Sequence, residues 1–131
     1  MKRVILLVML TFGLLSGFQL QTFAESTAGC KTECSTCASI CERTLSYCNK
    51  HGGKHTQPNH VKALKDCIST CKQSADFMLR NSQLQNAACS LCEQACTKCA
   101  ESCEAFAGDK TMKSCAEECR KCAESCKEMS S

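Results

Sequence analysis

Past residue 30, sulfur-bearing and apolar positions recur at intervals of three and four residues, with polar residues between them. Cysteines stand at 30, 34, 37, 41 and 48, then 67 and 71, then 89, 92, 96, 99 and 103, then 115, 119, 122 and 126. Within each group every step is three, four or their sum. That alternation averages 3.5 residues and keeps a whole group on one face of a helix. On a strand, steps of three would throw neighbours to opposite faces. The pattern therefore predicts four amphipathic helices with sulfur where leucine normally stands. Off this seam the chain carries Lys, Glu, Gln, Ser and Ala, which favour helix or give it a solvated face.

Punctuation between the groups sets the element bounds. The first helix is expected to start after Ser26 or Thr27 and to stop at His51, before Gly52-Gly53. Pro58, within Thr56 to Asn59, opens a second helix ending near Asn81. Ser82 with Gln85 fits a capping box for a third, ending at Gly108. Asp109 caps a fourth, running to about Met129. Short turns at 81–82 and 108–109 force antiparallel neighbours. The expected fold class is all-α, an antiparallel up-down-up-down four-helix bundle with a cysteine-lined core. Cys96-Thr-Lys-Cys-Ala-Glu-Ser-Cys103 recurs as Cys119-Arg-Lys-Cys-Ala-Glu-Ser-Cys126, consistent with duplication of one seam-bearing helix.

Stacked at about 1.5 Å per residue, the seams suggest layers. Cys48, Cys67, Cys103 and Cys115 are expected to share one near the 52–59 loop. Below come Cys71, Cys99 and Cys119 with Leu45, then Cys41, Cys96 and Cys122, then Cys37, Cys92 and Cys126. Cys34 and Cys89 follow, with Cys30 last. His51 and His60 fall on the seam phase at one mouth, Met112 and Met129 put thioethers at both ends of the fourth helix, and Met78 extends the second. Tyr47, Phe77 and Phe106 read as core or rim filler.

The chain has 131 residues, which suits one folded unit. Lys2-Arg3, the mostly apolar Val4–Leu15 and Thr22-Phe23-Ala24 read as a secretory signal peptide over 1–24, too short in its apolar core to span a bilayer. This leaves 25–131 as the folded domain and predicts an exported protein, periplasmic or extracellular. Without Lys2 and Arg3 there are 14 basic and 13 acidic residues, a balance with no footprint for nucleic acid or anionic membrane. No nucleophile–base pair or Gly-rich phosphate loop is present, and the Cys-x2-Cys pairs lie mid-helix, so an enzyme is not expected. Large apolar side chains are too few for carbon alone to stabilise such a chain, and small domains in that position need staples, metals or partners.

Three chemistries would use the cysteines. Disulfides are the default for an exported Cys-rich chain, but four or five thiols per seam exceed what stapling needs, and i/i+4 thiols on one helix bridge badly. Zinc or iron–sulfur sites want knuckles, turns and wrapped loops. A closed four-thiolate zinc site also carries −2, and no Lys or Arg stands on the seam to balance it. Cu(I) fits both charge and geometry, since thiolates bridging two monovalent ions give a neutral polymer at about one ion per cysteine. A disulfide-rich structural protein of the cell envelope and a zinc buffer stand as the alternatives.

The Cys-x2-Cys-x3-Cys runs, at 89, 92, 96, 99, 103 and at 115, 119, 122, 126, resemble those of the bacterial copper storage proteins, and the resemblance covers about 25–131. It implies a bundle that fills its core with multiple Cu(I) ions, no catalysis, assembly into a homotetramer, and His or Met at the open end where metal passes. His51, His60 and Met112 match that description by position, His55 less closely. Together with the sixteen cysteines these three form the candidate ligand set. A copper donor or acceptor protein is a possible partner; nucleic acid and, once the leader is cut, membrane are not.

Overall fold

The computed structural model describes residues 15–131. The leader expected over 1–24 falls largely outside the described residues. Four helices follow one another: α1 Leu15–His51, α2 Pro58–Leu79, α3 Gln85–Glu104 and α4 Lys110–Ser130. A 3-10 turn, Gly53–Thr56, joins α1 to α2. α1 packs on α2 and α4, and α3 packs on the same two, which is the up-down-up-down arrangement expected. Among the described residues no helix is long and apolar enough to cross a membrane.

Several bounds differ from expectation. α1 is already helical at Leu15, well before Ser26 and Thr27, whose hydroxyls face the far end of α4 instead of capping a helix. At its other end, positive φ values of 75° at Gly52 and 58° at Gly53 turn the chain. Pro58 opens α2 as anticipated, its missing N–H being one the first turn cannot use. α2 ends at Leu79, and Asn81 turns with φ 52°.

The Ser82/Gln85 capping box does not form. Ser82 Oγ accepts from the Leu84 N–H at 3.2 Å, while Gln85 Oε1 is buried without a hydrogen-bond partner. α3 ends at Glu104 rather than Gly108, and Gly108 (φ 81°) completes the turn into α4. Asp109 does cap α4, its Oδ1 accepting from the Thr111 and Met112 N–H groups at 2.9 and 3.1 Å.

The expected layers hold between α3 and α4, where Cys99 lies with Cys115 and Cys119, and Cys96 with Cys122. They fail for α1 and α2. Cys67 meets Cys41 and Cys37, at 3.7 and 3.8 Å, instead of Cys48. The reason is the compact 53–56 turn, which delivers α2 beside the last turn of α1. His60 is level with Cys48, so Cys67, seven residues on, meets Cys41, seven residues back. Cys115 consequently packs on Cys41, and Cys126 on Cys34 and Cys30.

Candidate metal centre

Every cysteine points inward. All sixteen are buried free thiols, none more than 2% exposed. Sulfurs from different helices approach to 3.4 Å (Cys67 and Cys96), 3.5 Å (Cys34 and Cys126) and 3.6 Å (Cys41 and Cys119). With metal–sulfur bonds of about 2.3 Å, three sulfurs around one ion stand about 4.0 Å apart. These thiols need move only slightly to take one.

Among the described residues five sulfur groups arise. Four are quartets: Cys34, Cys92, Cys122 and Cys126; Cys37, Cys71, Cys96 and Cys122; Cys37, Cys41, Cys67 and Cys119; Cys41, Cys99, Cys115 and Cys119. The fifth is Cys30, Cys89 and Cys126. Cys37, Cys41, Cys119, Cys122 and Cys126 each belong to two groups, so the groups form a continuous ladder. Only Cys48 and Cys103 stand outside it.

Charge decides what such a ladder accepts. Among the described residues the buried polar ones are Thr44, His55, His60 and Ser74, with no lysine or arginine among them. Divalent ions shared along overlapping thiolate quartets leave net negative charge in a medium that penalises it, whereas monovalent ions matched to thiolates leave none. Soft thiolates also select Cu(I) among monovalent ions.

The mouth is where α1, α2 and the α3–α4 turn meet. His60 Nε2 lies 3.5 Å from Cys48 Sγ, and its Nδ1 lies 2.7 Å from Ser102 Oγ. Burial lowers the His60 pKa, so the imidazole is neutral and able to offer a lone pair. The Cys48 thiol is pushed up to about 11, first by burial and then by the charges of Cys115 and Asp109. His51 is exposed at the rim, its ring 4.0 Å from that of His55. Met112 is fully buried.

His55, which the seam phase favours less, is buried and bonded through Nε2 to Asp109 Oδ2 at 2.8 Å. The same oxygen accepts from the Tyr47 hydroxyl at 3.0 Å. Phe106 stacks near both His55 and His60, at 4.5 and 4.7 Å between ring centres. Tyr47 and Phe106 thus build the mouth rather than merely filling its rim. Their roles depend on the fold of the loops, which no periodicity announces. Asp109 was readable as a cap but not as the partner of His55 and Tyr47.

The chain matches the family model described as copper storage protein over residues 23–131. No curated protein matches it by sequence. Among solved structures, a Nitrosospira multiformis protein is 34% identical with a TM-score of 0.76, covering 81% of this chain and 95% of its own. The Cu(I)-bound copper storage protein of Bacillus subtilis is 23% identical with a TM-score of 0.76, covering 81% and 99%, a likeness of fold. A cytosolic copper storage protein from Streptomyces lividans, solved during copper loading with five coppers, is 25% identical with a TM-score of 0.71, covering 82% and 93%. This last relative, described as cytosolic, corrects the expectation of a periplasmic or extracellular protein. A bundle lined by sixteen free thiols, matched by the family model from residue 23 to the C-terminus, belongs to the copper storage protein family.

Proposed function

We propose that the chain stores Cu(I) along the thiol ladder, with the sixteen cysteines as ligands and His60 beside Cys48 receiving metal at the mouth. The observation that carries this reading is the sharing of cysteines between adjacent groups in a core that, among the described residues, buries no lysine or arginine. Each ion forms bonds to sulfur and releases a thiol proton to solvent, so the core stays neutral as it fills. Cys48 and Cys103, outside the ladder, lie between it and the histidines. His51 at the rim is the first imidazole an arriving ion meets, and Met112 offers a thioether just inside. No step of this kind transforms a substrate, which agrees with a storage family rather than an enzyme. Assembly into a homotetramer, and exchange with a copper donor or acceptor protein, rest on the family resemblance.

Titrating the reduced protein with Cu(I) against a strong chelator tests the reading. Tight uptake near one ion per thiol is expected. Saturation below about four ions would refute a continuous copper–thiolate core.

A further inference from the structure

The end of the bundle away from the histidines also closes on sulfur. Cys30, Cys89 and Cys126 form the three-thiol group there, with Cys30 and Cys126 Sγ 3.9 Å apart. Met129, one turn beyond Cys126, is 4% exposed. Its Sδ accepts from the hydroxyls of Ser26 and Thr27, at 3.9 and 3.7 Å. Those hydroxyls belong to the turn of α1 immediately before Cys30. The thioether therefore lies across the outer side of the triad, held by the helix that leads into it.

α2 alone of the four helices supplies no thiol at this level. Cys34, Cys92 and Cys122 surround Cys71 on α2. One turn further along each helix stand Cys30, Cys89 and Cys126, and on α2 the matching residue is Ser74. Its Oγ is fully buried and lacks a hydrogen-bond partner. Such a hydroxyl is costly unless something in the working state uses it.

We propose that Cys30, Cys89, Cys126 and Met129 form a terminal Cu(I) site that fills and empties through its own end of the bundle, with Ser74 as its buried hydrogen-bond donor. The inference rests on the copper-storing reading of the core. On loading, copper–sulfur bonds form and the thiol protons pass to the buffer. Cys126 is shared with the neighbouring group and its ion, which offsets part of the negative charge of the triad, and the Ser74 O–H donates to a thiolate where no cation is available. Met129 completes the site as a soft, uncharged ligand, so it adds affinity without adding charge. Ser26 and Thr27 position the thioether and act only through it.

The test uses crystals of the full chain exposed to sub-stoichiometric Cu(I) under anaerobic conditions, with anomalous scattering at the copper edge locating the ions. Copper is expected at the triad at the same loading that places it beside Cys48 and His60. Met129→Leu should lower triad occupancy and speed chelator removal of that fraction by about tenfold. Thr27→Val, which removes one hydroxyl and keeps the side-chain shape, should shift both in the same direction, covering the case in which the Met129 variant fails to fold. Substituting His51 and His60 with Ala should leave triad filling unchanged. A triad that fills only after the mouth groups, or that is indifferent to both far-end variants, overturns this inference while storage stands. A chain that takes up no copper in solution overturns both.

Discussion

Filling the core exchanges one buried cation for another, copper for proton, and this sets how uptake responds to pH. The Cys48 thiol, pushed up to about 11, is protonated at neutral pH. If each bridging thiolate serves two coppers and each copper two thiolates, about one proton leaves per ion bound. Each pH unit then strengthens uptake by about 1.4 kcal/mol, or about tenfold in affinity. Raising the pH from about 6 to about 8 gains roughly a hundredfold against a chelator whose own affinity is constant. Solvated thiols would flatten this dependence near pH 8.5, their ordinary pKa being about that value, whereas Cys48, pushed up to about 11 by burial, carries it higher. Isolated centres of two unshared thiolates release two protons per ion, which turns the hundredfold into about ten-thousandfold over the same interval. Competition titrations of reduced protein across that range, with proton release followed by an indicator in weak buffer, measure the slope directly. A slope near two would refute the shared ladder, and one near zero would refute a core of neutral thiols.

Two further outcomes concern the mouth. Asp109 accepts from the Thr111 and Met112 N–H groups, the Tyr47 hydroxyl and His55. Burial alone would raise its pKa, but these bonds, led by that to His55, hold it at about 2 against the usual 3.8. Asp109→Ala should cost about 2–3 kcal/mol in urea unfolding at neutral pH, combining a lost cap with two stranded partners. A depressed carboxyl stabilises the fold above its unfolded pKa, so the difference between wild type and variant should shrink as pH falls from about 4 to about 2. A pH-independent difference would contradict the assignment. Replacing His51 and His60 with Ala should slow copper uptake and removal in stopped-flow exchange with a chelator while leaving capacity almost intact, and a collapse in capacity would remove them from the gate.

How much of this was legible in the sequence follows from what sets each feature. The seam was, because a 3/4 repeat admits one geometry and the cysteines themselves mark the buried face. Asp109 and Pro58 were, since both act within their own turn. The register of α1 against α2 was not, for it depends on how a 3-10 turn of Gly53–Thr56 folds back, a matter of loop path that stacking by rise per residue ignores. The start of α1 was obscured by Ser26 and Thr27, residues that suit a cap but here contact Met129. His55 was undervalued because it lies off the helical phase, on a turn whose shape alone brings it to Asp109.

Because Cys37, Cys41, Cys119, Cys122 and Cys126 each serve two neighbouring groups, the store is a thread and not a set of separate lockers. An ion that settles on one rung draws in sulfurs already half-arranged for the next, so occupancy tends to spread from wherever it starts. Oxidation of one such doubly used sulfur would cut the thread at two rungs together, making a handful of atoms responsible for the continuity of the whole reserve.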